Sequence, residues 1–189
     1  MSDQILWFAT RGAGIVSLLL FTAVTCLGIL TVVRWQSPSW PRFLTVQLHR
    51  NLALLSVGFL AIHIITAVAD PFTSLGVVAA TIPFASSYRP LWVGLGVISM
   101  DLTIAIIVTS LLRDRLGQRA WRAVHWLAYA SWPLAVVHGL GSGSDAFAPW
   151  MLAIQAACVV AVGAAVVWRV SVTTSNRADL AAVVQRDLR

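Results

Sequence analysis

Four histidines, His49, His63, His125 and His138, are the only ones in this chain of 189 residues, and each falls inside an apolar stretch. They form two pairs, 14 residues apart in the first and 13 apart in the second. Imidazole is the side chain best suited to bind a metal or to exchange a proton near neutral pH. Ionisable groups are costly inside a membrane, and those that persist there are usually functional. The chemistry open to such pairs is therefore ligation of a metal centre or relay of protons.

The elements that must position these residues follow from composition. The chain is 59% hydrophobic and 11% charged, whereas a soluble domain carries about 25% charged residues. This predicts an all-α integral membrane helix bundle with no soluble domain of useful size. Apolar runs near the length of about 20 residues that spans a bilayer occur at 13–33, 43–69, 91–112, 120–140 and 147–170, which gives about five transmembrane helices. Residues 1–170 form the bundle. Residues 171–189 form a cytoplasmic tail, where the spacing of Leu180, Val183, Val184 and Leu188 suits a short amphipathic helix. The run 13–33 is too long for a signal-peptide core and reads as the first span. Cys26 and Cys158 fall mid-helix in apolar surroundings and read as small buried hydrophobes.

Ten arginines (34, 42, 113, 115, 119, 122, 169, 177, 186 and 189) belong to one side of such a bundle, and Arg11 and Arg89 to the other. The positive-inside rule puts the first set in the cytoplasm, the N-terminus outside and the C-terminus inside. All 13 basic residues are Arg and all seven acids are Asp. That bias suits a GC-rich bacterial genome and thus a multi-pass protein of the bacterial inner membrane. The net charge of +6 does not indicate nucleic-acid binding, because the arginines sit at helix ends. The apolar segment between Asp70 and Pro90 is too short to span and return. It reads either as an interfacial cover over the outer end or as an ordinary connection.

The second and fourth spans run in the same direction. His49 and His125 then share the inner level and His63 and His138 the outer one, about 20 Å away at about 1.5 Å per residue. One haem held between two imidazoles at each level fits this pattern. The phase is favourable in the second span, where 14 residues return to within about 40° of the same face. In the fourth span 13 residues leave the histidines about 140° apart, and a kink at Pro133 is the expected remedy. Candidate donors to the haem propionates are Arg50, Arg119 and Arg122 at the inner level and Arg11 and Arg89 at the outer. Gly58, between the histidines, is a packing residue first. Asp101, midway along the third span, is either a structural hydrogen-bonding group or a proton or quinone site.

The stretch Arg89-Pro90-Leu91, Gly96-Val97-Ile98-Ser99, Thr109-Ser110, Leu116-Gly117, Trp121, His125, Tyr129 and His138 resembles the haem-binding membrane subunit of bacterial methionine sulfoxide reductase systems. With its two histidine pairs, the chain resembles the ferric-reductase-like transmembrane domain family over most of residues 10–145. NADPH oxidases also belong to that family. The resemblance implies two b-type haems with bis-histidine ligation, His49 with His125 and His63 with His138, and electron transfer across the membrane. His49 departs from the methionine sulfoxide reductase subunit, which carries arginine there, and favours two full haem sites. The chain reaches Arg189 without a dinucleotide fingerprint, so no flavin site is expected within it.

The expected function is a dihaem b cytochrome, an oxidoreductase component. It would pass electrons between a cytoplasmic donor protein or quinol and an extracytoplasmic acceptor, with lipid around it. One alternative is a haem subunit that donates to an extracytoplasmic methionine sulfoxide reductase-like partner. Another is a proton-coupled transporter that uses the histidines as relays.

Overall fold

The computed structural model describes residues 2–71, 73 and 75–187, and the side chains of those from 4 to 175. The described residues form seven helices: α1 (Ser2–Val33), α2 (Arg42–Ala69), α3 (Gly76–Thr81), α4 (Pro90–Leu111), α5 (Arg113–His125), α6 (Ala128–Ser142) and α7 (Pro149–Asp187). The protein is an integral membrane helix bundle. Four helices are long and apolar enough to cross a membrane, lying within Gln4–Val33, Arg42–Ala69, Pro90–Leu111 and Pro149–Ser175.

Local chemistry sets the boundaries. α1 ends with Arg34 in the left-handed region (φ 57°). The Trp35 N–H donates to Leu30 O (3.2 Å) and the Arg34 N–H to Thr31 O (3.2 Å), the paired bonds of a Schellman stop. Ser37 and Trp40 close the connecting turn, and the Trp40 indole N–H donates to the fully buried Thr45 hydroxyl (3.0 Å). Asp70-Pro71 ends α2, because proline disfavours the helical conformation in the residue before it. Pro90 occupies the first turn of α4, where its missing N–H costs nothing.

The expected fourth span differs from the sequence reading. Residues 120–140 are not one helix but the end of α5, a break at Trp126–Leu127, and most of α6. α5 is itself irregular at Gly117 (φ 78°, ψ 160°). The break falls ahead of Pro133, which stays inside α6. Proline crowds the carbonyl four residues back, here that of Tyr129, and the chain answers just upstream with tighter bonds. Leu127 N–H donates to Val124 O (2.9 Å), Tyr129 N–H to Trp126 O (3.1 Å) and Ala130 N–H to Leu127 O (3.0 Å). Arg169 of α7 braces this turn, donating to the Tyr129 hydroxyl (2.6 Å) and lying over the Trp126 ring (5.0 Å).

α1 packs against α2 and α7, and α4 against α6. The core joins α1, α6 and α7 through Leu18, Trp132, Val136, Cys158 and Val162, with Phe21, Cys26 and Ile154 beside it. Both cysteines are free, as small apolar packing residues would be. Polar groups inside the bundle pair across helices. Ser99 donates to Ser131 O (2.8 Å), Ser131 to Ser99 O (2.9 Å), and the Thr103 and Ser131 hydroxyls lie 2.9 Å apart. Trp132 Nε1 donates to Thr22 Oγ1 (3.0 Å). The outward faces stay apolar, with Leu54, Ile65 and Val167 exposed, as lipid contact requires.

The segment between α2 and α4 is more than a plain loop, for it contains the short helix α3. α3 lies against the sides of α2 and α4. It helps to line an apolar cleft of about 410 Å³ with Ile65, Val68 and Met100. α7 runs without interruption past residue 171 to Asp187, so the tail begins as a continuation of that helix. Its expected apolar spacing lies outside the described side chains.

Candidate functional site

The fold brings the four histidines together in the expected pairs. The His49 and His125 ring centroids are 6.4 Å apart with planes at 68°. Those of His63 and His138 are 6.2 Å apart at 81°. Two imidazoles bonded to opposite sides of one metal atom at about 2.0 Å each would set their centroids roughly 6.3 Å apart.

Three of the four rings are oriented by one repeated device. His63 Nδ1 lies 2.8 Å from Thr10 O, His49 Nδ1 3.0 Å from Val24 O, and His138 Nδ1 2.8 Å from Trp92 O. A carbonyl can only accept, so each Nδ1 carries the proton and donates it. The Nε2 lone pair is then left free, as a ligating histidine requires. Each accepting carbonyl stands four residues before a glycine: Thr10 before Gly14, Val24 before Gly28, Trp92 before Gly96. A side chain on that glycine would meet the ring. A Cβ on Gly14 would lie 2.9 Å from His63 Nδ1, and one on Gly28 would lie 3.4 Å from His49 Cε1. One on Gly96 would overlap the His138 ring. Glycine thus uncovers a helical carbonyl that already serves its own helix and lets an imidazole reach it.

The break at Trp126–Leu127, just upstream of Pro133, answers part of the phase problem of the second pair. Each residue in a 3₁₀ turn rotates about 120° instead of about 100°. The three short bonds after Val124 therefore recover roughly 60° of the missing 140°.

The predicted arginines fare differently. Arg89 donates to Gly141 O, and to Gly143 O at 3.4 Å; it caps the carbonyl end of α6 and stacks on Tyr88 (5.7 Å). Arg11 pairs with Asp145 and lies over Trp7 (5.1 Å). Both outer candidates are thus engaged in holding helix ends. Arg50, Arg119 and Arg122 are exposed. Asp101 is exposed on the outer side of α4, so the expected hydrogen bond to a neighbouring helix is not formed among the described residues.

Sequence reasoning missed the glycines and their carbonyls, although a signal was there. Gly14 and Gly28 are 14 residues apart, the same interval as His49 and His63, read in reverse along an antiparallel helix.

A family model described as ferric reductase like transmembrane component matches residues 13–136. The chain belongs to that family. The match includes His49, His63 and His125 and stops two residues short of His138. No curated protein and no solved structure matches the chain. Membership marks this ferric-reductase-like protein as a membrane-spanning, transmembrane electron-transfer component.

Proposed function

We propose that this chain is a b-type dihaem component that carries electrons across the membrane, with one haem between His49 and His125 and a second between His63 and His138. The observation that carries the reading is the near-equal ring separation of the two pairs, each matched to a single metal atom. Each pair would supply two protein ligands to such a haem; a structural zinc would take about four.

The two histidine pairs would hold the haems, which would supply one-electron redox chemistry. The chain's own residues do the rest. The carbonyls of Thr10, Val24 and Trp92 fix the imidazole tautomer and ring angle and raise ligand basicity. Gly14, Gly28 and Gly96 admit the rings to those carbonyls. Leu18, Trp132, Val136 and Cys158 are buried in the core cluster and keep water from it. Ser99, Ser131 and Thr103 satisfy one another and leave no unpaired hydroxyl in that layer.

The test is haem stoichiometry and a redox titration on the purified protein, beside His49→Ala and His63→Ala. The wild type is expected to bind about two haems per chain, and each variant to lose a different midpoint. A colourless wild type expressed with ample haem, or loss of one and the same haem in both variants, overturns the reading.

A further inference from the structure

One corner of the four-histidine arrangement breaks the rule that fixes the other three. His125 Nδ1 is buried and has no partner among the described residues. Thirteen residues after Gly96, α4 carries Thr109 and not glycine. Here a ring does the orienting. The Trp121 indole stacks on His125 with centroids 5.0 Å apart and planes at 29°. The same indole is held on two other sides: Nε1 donates to Ser110 Oγ (3.2 Å), and the Arg113 guanidinium lies over the ring at 4.6 Å. Arg113 is itself fixed by a bond to Gln118 Oε1 (3.1 Å).

Trp121 is only half-buried, and α5 buries none of its residues. The helix therefore lies on the arginine-rich end of the bundle with a pinned aromatic ring joining its surface to a histidine of the site. Arg113, Arg115, Arg119 and Arg122 are all exposed on it, against the single acid Asp114. A purely topological role for these arginines would not call for an indole fixed on three sides against His125.

We propose that the exposed face of α5 is the docking surface for a soluble one-electron carrier protein with an acidic surface, and that Trp121 is the group through which the electron passes to His125. The carrier is oxidised by one electron, the centre held by His49 and His125 is reduced by one, and no proton need move. The proposal rests on the haem reading above.

The experiment uses the haem-loaded chain in phosphatidylcholine nanodiscs, with reduced plant-type ferredoxin as the acidic probe and haem absorbance followed by stopped flow. Electrostatic steering changes association by roughly 10-fold to 1,000-fold and is lost as salt rises. The second-order rate is therefore expected to fall at least about 10-fold between about 0.02 and 0.5 M salt. The double change Arg115→Gln, Arg119→Gln should flatten that dependence. Trp121→Leu should slow the rate at saturating ferredoxin by about 10-fold or more, with Trp121→Phe close to wild type and haem content measured in each. A salt-independent rate, or a wild-type rate in haem-replete Trp121→Leu, overturns the docking proposal and leaves the haem reading standing. A wild type without haem overturns both.

Discussion

Alanine at each of three glycines should give a graded loss of haem, because the space beside each imidazole differs. At Gly28 the added methyl would sit 3.4 Å from the nearest His49 atom, close to the ordinary contact distance of about 3.5–4.0 Å. Alanine is better than glycine inside a helix by about 0.5–1 kcal/mol. Gly28→Ala is therefore expected to be neutral or slightly stabilising. At Gly14 the methyl would meet His63 at 2.9 and 3.0 Å, a shortfall of roughly half an ångström. Overpacking of this kind costs about 1–3 kcal/mol, and displacing the ring weakens its bond to Thr10 O, about 1 kcal/mol more. Set against the helix gain, the net cost is about 1–3.5 kcal/mol, and the site should weaken by roughly 5-fold to 300-fold at about 1.4 kcal/mol per decade. At Gly96 the methyl would overlap the His138 ring outright. The ring must leave Trp92 O or α4 must part from α6, and loss of outer haem by about 100-fold or more is expected. The assay is haem per chain by pyridine haemochrome, with redox titration to identify the surviving centre. The reasoning fails if Gly28→Ala empties its site as readily as Gly96→Ala, or if Gly96→Ala keeps both haems.

Three further outcomes follow from side chains outside the histidine pairs. Arg89→Ala removes the donor that caps the end of α6; it should cost about 1–3 kcal/mol of stability and broaden or lower the outer haem midpoint while the inner one stays, which thermal unfolding and redox titration would show. Ser131→Ala breaks the hydroxyl set that joins α4 to α6. Its expected cost is about 0.6–2 kcal/mol, read as detergent-induced unfolding, and an unchanged midpoint would mean that the set contributes nothing to packing. Asp101→Leu replaces an exposed mid-span carboxylate that costs about 2.5–3.5 kcal/mol in lipid, so improved thermal stability with both haems retained is the expected result. Loss of haem or of assembly in that variant would show that Asp101 has a partner.

The sequence was most informative where one rule acted alone. Apolar runs bounded by Arg, Pro and Gly located α1, α2, α4 and α7 to within a few residues, except that α1 begins earlier and α7 runs on. Depth in the apolar runs 43–69 and 120–140 was enough to expect His49 beside His125 and His63 beside His138. The fourth span was misread because hydropathy is blind to a change of helical pitch. Trp126 and Leu127 carry no helix breaker of their own, and the tighter turn there answers Pro133, six residues further on. The arginines at 11 and 89 were legible as charges sharing one end of the bundle, but not as caps and pair partners. Asp145 and the carbonyls of Gly141 and Gly143 that occupy them lie more than 50 residues away in sequence.

The glycines argue a more general point about why some of the site was legible. A carbonyl inside a helix is hidden from sequence reading, since every residue has one. For three of the imidazoles it is reached where the residue four positions later lacks a side chain, so the visible mark of those acceptors is the glycine and not the acceptor itself. In α1 that mark recurs at the interval of the histidines it serves, and the antiparallel run of α1 and α2 reverses the order: Gly14 meets His63 and Gly28 meets His49. α4 carries two glycines, of which Gly96 faces a histidine and Gly94 faces Phe84. The absence of such a glycine at Thr109 is what sets His125 apart and hands its orientation to Trp121. With a ring in place of a carbonyl, this imidazole lacks the acceptor that raises the ligand basicity of the other three, and it sits at the end of the charged helix α5. The corner that departs from the repeated device is therefore the one where the site opens to a partner.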